Sequence, residues 1–192
     1  IYPDQFIPVL EKNGYVIDVD NFIWNKVCAC IKMMEDKGIE PVPISVNVSR
    51  MHVYQEKFTE NLKNMAGEYG IDPKYIPLEI TESAFTKEEG SLFKKVQSLQ
   101  GYGFKFSMDD FGSGYSSLGM LKSERVDEVK IDKTFVDDIA TDKGKVLLGN
   151  VIRMINELGI DMIAEGVETK EQADFLKENG LSLIHISEPT RH

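Results

Sequence analysis

The chain has 192 residues, of which 42% are hydrophobic and 28% charged, proportions that suit a single globular domain. Its 32 acidic residues outnumber 22 basic ones, and the formal net charge of −10 speaks against non-specific binding to nucleic acid polymers or anionic membranes, which needs a basic footprint. No apolar run approaches the roughly 18 residues of a membrane span. Bound cations that invert the local field would still admit a phosphate-bearing small molecule.

Strand and helix patterns alternate along the chain. It opens at Ile1 without methionine or a signal-peptide pattern, and so reads as a fragment. A helical pattern over Phe22–Lys37 closes at Gly38 and carries both cysteines, Cys28 and Cys30. Two positions apart on a helix, they point to different sides and are poorly placed to pair or share a metal, so they read as small buried hydrophobes in a reducing cytosol. The strand candidate "PVPISVNVS" comes next, then a helix over Glu56–Tyr69 closed by Gly70. The strand "YIPLEITES" leads to a helix over Glu88–Leu99, with Gly101 as its cap. "GFKFSMDD" and "VDEVKID" are further strands, followed by a helix over Lys145–Leu158 capped by Gly159. The strand "IDMIAEGVE" and a helix over Lys170–Glu178, with Gly180 behind it, complete the series. Repetition of this kind predicts a parallel α/β architecture, barrel or doubly wound, in one domain. The tail "LSLIHISEPTRH", residues 181–192, matches a reading frame of a translated sequencing adapter, so the authentic chain is expected to stop near Gly180; the alternative is a genuine last strand, since "LSLIHIS" alternates well.

Each strand candidate ends in a residue able to bind a metal or move a proton: Asn47, Glu79, Asp109 with Asp110, Lys130 and Glu165. They are separated by 32, 30, 21 and 35 residues, about one strand–helix repeat each. In an α/β barrel such residues converge at the C-terminal strand ends. Strand parity agrees, with Asn47 opposing Ile44, Val46 and Val48, and Asp109 opposing Phe104, Phe106 and Met108. So many acids at one pole are costly without a partner, and hard divalent cations such as magnesium or manganese suit carboxylate and amide oxygens. Two such ions could serve an in-line phosphoryl displacement, with Lys130 positioning a water and Glu165 as its base. His52, in a polar stretch after a strand, reads as a surface or supporting residue, because one histidine makes no zinc site.

Two lookalikes fail. "DFG" matches the kinase magnesium triplet, but no nucleotide-binding glycine loop or HRD-type catalytic loop accompanies it. "GSG" at Gly112–Gly114 suggests a dinucleotide turn, yet Ser117 stands where a third glycine belongs and Asp109 and Asp110 would repel a pyrophosphate.

Together, "QFIPVLEKNGYV", "SVNVSR", "LEITES", "MDDFGSGYSSL", "VKIDKTFV" and "AEGVET" resemble the EAL-domain family of cyclic di-GMP phosphodiesterases, in order and in spacing, over almost all of residues 1–180. The resemblance implies a (β/α)₈ TIM-like barrel and hydrolysis of cyclic di-GMP to linear pGpG with two magnesium or manganese ions. It makes Asn47, Glu79 and Asp109 ligands of one metal, and Asp109 with Asp110 ligands of the second. It assigns Lys130 to the attacking water and Glu165 to the general base, with Glu82 holding the loop after Asp110 and Glu168 a supporting acid. The loop "DFGSGYSS" would link a homodimer contact to metal occupancy. Residues that contact the substrate are not identified.

The family's signature glutamate, a metal ligand, and the arginine after it are absent from the chain, and the last strand with its glutamine–glycine pair is replaced by the tail. A barrel commonly needs ~250 residues, so the chain is expected to lack about two N-terminal strands and the last one and to be inactive as it stands. Ser113 stands where threonine is common, and "KSERVDE" lacks the usual leucine–proline. The parent is expected to be cytoplasmic or anchored through other segments, and the sequence leaves open a cyclase or sensor domain upstream. The competing readings are a catalytically inactive cyclic di-GMP receptor or signalling platform, and an unrelated metal-dependent barrel such as a lyase.

Overall fold

A computed structural model describes residues 2–85, 89–112, 121, 126–181 and 183–184. They fall into two compact units, one from residues 1–80 and 87–106 and the other from 81–86 and 107–192.

The first unit opens with two helices, α1 (Pro3–Asn13) and α2 (Val16–Asp36). Pro3 enters α1 in its first turn, where its missing N–H costs nothing, and Gly14 ends it in the left-handed region. The second helix starts six residues before the expected Phe22, because Val16, Asp20, Trp24, Cys28 and Ile31 form one continuous buried stripe at helical spacing. Strand β1 (Val46–Asn47) pairs in parallel with β2 (Leu78–Thr81), in the register Val46↔Leu78 and Asn47↔Glu79. Extended pairing reaches beyond β1's two residues, since the N–H groups of Ile44, Val46 and Val48 donate to the carbonyls of Tyr75, Pro77 and Glu79. The Leu78 N–H in turn donates to the Lys105 carbonyl. Between the strands lie α3 (Arg50–Val53) and α4 (Phe58–Tyr69), and α4 buries Phe58, Leu62, Met65 and Ala66 before Gly70 caps it. Beyond β2 the chain continues through α5 (Glu82–Phe85), in the second unit, and α6 (Glu89–Gln100), in the first.

Four parallel strands in chain order build the second unit: β3 (Phe106–Phe111), β4 (Glu128–Ile131), β5 (Asp161–Ala164) and β6 (Leu183–Ile184). Ile131, Val129, Met108 and Ala164 are buried in it. Helices α7 (Lys133–Asp137) and α8 (Asp142–Glu157) join β4 to β5, and α9 (Lys170–Glu178) follows β5. The eighth helix begins three residues before the expected Lys145, because the Thr141 hydroxyl accepts the Gly144 N–H and caps the earlier turn. The ninth matches its expected range and starts with a reciprocal Thr169–Gln172 capping box. β6 lies inside the stretch read as a tail, with Leu183 opposite Ile163 and Ile184 opposite Ala164. Both cysteines are free thiols; Cys28 is fully buried, which pushes its thiol up to about 11, whereas Cys30, also expected to be buried, is half-buried because it lies two positions on and so off the buried stripe of α2. Among the described residues no helix is long and apolar enough to cross a membrane.

Candidate active site

The chemistry-bearing residues of the second unit gather where its strands end. β3 delivers Asp109 and Asp110 through an irregularity: its register with β4 shifts between Met108 and Phe111, and Asp110 takes a left-handed φ of 57°. Asp110 is the one non-glycine among the described residues with a positive φ. Such a bulge re-aims side chains that strict alternation would send to opposite faces, and aspartate is among the few residues that tolerate the conformation. The Asp110 N–H donates to Asp109 Oδ1 at 3.0 Å, tying the two acids together. Gly112, at φ 97°, turns the chain immediately afterwards. A Cβ there would lie 2.4 Å from Phe135 Cδ1, so the turn requires glycine on both counts.

β4 delivers Lys130, in register with Ile163 of β5, and Glu165 follows the end of β5. The Glu165 N–H donates to the Ile131 carbonyl at 3.0 Å, extending the ladder by one bond and fixing where that side chain starts. Lys130 Nζ stands 2.6 Å from Glu165 Oε1 and 3.8 Å from Asp109 Oδ1. One ammonium therefore faces two of the expected site carboxylates. Asp110 is held above its ordinary carboxylate range, chiefly by burial, then by the charges of Asp132 and Glu165; Lys130 opposes this and Glu82 adds to it. Glu82, first in α5, is almost wholly buried.

In the first unit, Asn47 is exposed at the end of β1 and stands opposite Glu79 in register, which is 9% exposed on β2. Glu168 forms an ion pair with Lys133, raising the Lys133 ammonium, and its N–H donates to Gln172 Oε1 beside the cap of α9. The loop expected to bear the dimer contact lies outside the described residues after Gly112.

Sequence reasoning passed over Asp132. Its N–H donates to the Phe111 carbonyl, its side chain caps α7 by accepting from Thr134, and its charge acts on Asp110. The pattern held the clue, since Asp132 ends "VKID" as Asp109 and Asp110 end "FSMDD". Of the two places expected for His52, on the surface or in support of the site, the surface is excluded: it is 2% exposed, with burial pushing its imidazole down to about 4.

Residues 1–185 match the family model described as the EAL domain. The chain belongs to the EAL domain family. It is 34% identical over 177 residues to the oxygen sensor protein DosP of Escherichia coli, covering 92% of this chain and 22% of that protein. It is 33% identical over 180 residues to the probable cyclic di-GMP phosphodiesterase PdeG of the same organism, covering 93% and 36%. A solved PaMucR phosphodiesterase in complex with c-di-GMP superposes with a TM-score of 0.88 at 29% identity, covering 96% of this chain and 75% of that one. This EAL chain thus spans between about a fifth and two fifths of the length of those two curated relatives. Its fold is α/β with parallel strands, the TIM-barrel-like fold of EAL domains in incomplete form.

EAL phosphodiesterases in general depend on a divalent metal. The residues present fit a hard cation in their chemistry: Asp109 and Asp110 offer carboxylate oxygens, and Asp110 sits where burial and three acids disfavour its charge. Among the described residues no three His, Cys, Asp or Glu side chains are drawn together closely enough to hold an ion. The EAL chain therefore shows the donor chemistry without a closed cage.

Proposed function

We propose that the complete EAL domain to which this chain belongs hydrolyses one phosphodiester bond of cyclic di-GMP to give linear pGpG. The observation that carries the reading is the placement of Lys130 Nζ against both Glu165 Oε1, at 2.6 Å, and Asp109 Oδ1, at 3.8 Å. A carboxylate able to take a proton and an ammonium able to orient a water and offset negative charge sit side by side at strand ends. The similarity to PdeG, named a probable cyclic di-GMP phosphodiesterase, and to a PaMucR phosphodiesterase in complex with c-di-GMP supports the choice of substrate.

Two magnesium or manganese ions, with Asn47, Glu79, Asp109 and Asp110 as ligands, would supply Lewis acidity to the attacking water and to the oxygens of the in-line displacement. Glu165 accepts the proton of that water as its oxygen bonds to phosphorus. Lys130 holds the water in line and balances charge growing on the phosphoryl oxygens. One phosphorus–oxygen bond breaks, and its leaving oxygen takes up a proton. Glu82 and Glu168 act as supports, Glu82 by holding the loop after Asp110 and Glu168 by fixing Lys133.

The test is hydrolysis of cyclic di-GMP with magnesium, followed as pGpG, by the complete EAL domain bearing these residues and by its Glu165→Ala variant. Turnover by wild type and its loss in the variant support the reading. Tight binding of cyclic di-GMP without turnover by wild type would instead identify a receptor, and equal turnover by both proteins would remove Glu165 from the role of base.

A further inference from the structure

Behind Asn47 lies a buried polar cluster that the hydrolytic mechanism does not use. Asp20 and Trp24 are 7% and 2% exposed and sit four residues apart on α2, one turn above the other on the same face. The Trp24 indole N–H donates to the Asn47 backbone carbonyl at 2.9 Å. The Ser49 backbone N–H donates to Asp20 Oδ2 at 3.2 Å. The spacing matches: four residues of helix rise about 6 Å, and two residues of strand span about 6.6 Å. Helix and strand run in opposite directions, so the later helix residue meets the earlier strand residue.

The N–H and carbonyl of alternate residues on a strand point the same way, so Val46 and Val48 face β2 while Asn47 turns its backbone outward. The clamp takes hold on that outward side. It is braced by His52, whose ring lies 4.3 Å from the Trp24 ring and whose Nε2 is 3.4 Å from Asp20 Oδ2, out of line for a hydrogen bond. A purely apolar contact would pack α2 against β1 equally well. Two directional bonds, one on the Asn47 carbonyl and one on the Ser49 N–H, instead fix the backbone from Asn47 to Ser49.

We propose that Asp20 and Trp24 are positioning residues: they clamp the backbone immediately after the Asn47 side chain, at the Asn47 carbonyl and at the Ser49 N–H, and thereby hold its amide oxygen ready for a divalent cation. The inference rests on Asn47 being a ligand, as proposed above. Groups that orient a metal ligand typically alter affinity about 10- to 100-fold when removed.

The test is Mn²⁺ affinity of the EAL domain, read by electron paramagnetic resonance without substrate, together with amide hydrogen exchange at Asn47–Ser49. Trp24→Phe keeps the ring and removes the N–H donor; it is expected to weaken Mn²⁺ binding about tenfold and to speed exchange, with little change in unfolding temperature. Asp20→Ser is expected to act likewise, whereas Asp20→Asn keeps an acceptor for Ser49 and should stay near wild type. If Asn47→Ala weakens binding but Trp24→Phe does not, the clamp is overturned and the ligand assignment stands. If Asn47→Ala leaves affinity unchanged, the ligand assignment is overturned and the positioning role with it. Should Asp20→Ser fail to fold, Trp24→Phe alone decides the matter.

Discussion

Lys130 Nζ lies 2.6 Å from Glu165 Oε1, although the two residues come from successive strands and are 35 positions apart. The register sets this up, since Lys130 pairs with Ile163 and the ladder runs on to Glu165 through the Ile131 carbonyl. An exposed ion pair of this length would contribute little to stability. At 14% and 34% side-chain exposure it is partly shielded, and its value lies in aligning a donor with an acceptor.

Because both groups are proposed to act on one water, their effects should not add. Glu165→Ala is expected to lower kcat by about 10²- to 10⁴-fold, and Lys130→Met by a comparable factor. The double variant should be little worse than the poorer single one. Steady-state formation of pGpG by the three proteins checks this, and a product of the two single effects would show that they act on different steps.

Asp110 should trade stability for function. Burial and the charges of Asp132, Glu165 and Glu82 all disfavour its ionised form, so a neutral amide of the same shape relieves the folded state. Asparagine also tolerates the left-handed φ of 57°. Asp110→Asn is therefore expected to melt at or slightly above the wild-type temperature while losing Mn²⁺ binding and turnover. Calorimetry beside an activity assay decides it, and a large fall in melting temperature would mean that Asp110 serves the fold instead.

Much of this arrangement was legible in the sequence. The alternation of strand and helix patterns gave the parallel α/β class, and residues with acid, amide or amine side chains at repeat spacing marked Asp109, Asp110, Lys130 and Glu165. Spacing could not show the bulge at Asp109–Asp110, because period-two reasoning assumes a regular strand and puts the two acids on opposite faces. Nor could it show the start of α2. Asp20 breaks the apolar stripe there, and only the acceptor it offers to the Ser49 N–H explains why a charged residue belongs in it. His52 was left between surface and support for the same reason: a lone histidine in a polar stretch cannot be read as buried until its neighbours Trp24 and Phe58 are known.

The turn after the two acids is exacting. Gly112→Ala would place a methyl group 2.4 Å from the Phe135 ring and force a left-handed φ on a residue that resists it. A cost of about 2 kcal/mol is expected, lowering the melting temperature by about 4–8 °C for a chain of this size. Thermal denaturation checks it. A combined Gly112→Ala and Phe135→Ala variant relieves the clash but not the backbone strain, so it should not regain wild-type stability.

The buried pair Asp20 and His52 makes opposing contributions to stability against pH. Asp20 is raised from 3.8 to about 6, chiefly by burial, so the folded state binds its proton more tightly than the unfolded chain. Its stabilising contribution is complete below about pH 4 and is lost as pH rises through 6. His52 is lowered from 6.5 to about 4, again by burial, so the unfolded chain binds its proton more tightly. Its contribution is complete above about pH 6.5 and is lost as pH falls through 4. Between pH 4 and 6 the two slopes have opposite sign and similar size, so together they leave the wild type nearly insensitive to pH there. Removing one partner exposes the other. Asp20→Asn should lose stability on acidification from pH 6.5 to 4, relative to wild type. His52→Gln should gain it over the same range, because only the Asp20 term is left. Urea unfolding at pH 4.5, 5.5 and 6.5 measures both slopes, and parallel profiles for the two variants would show that these side chains do not titrate with folding.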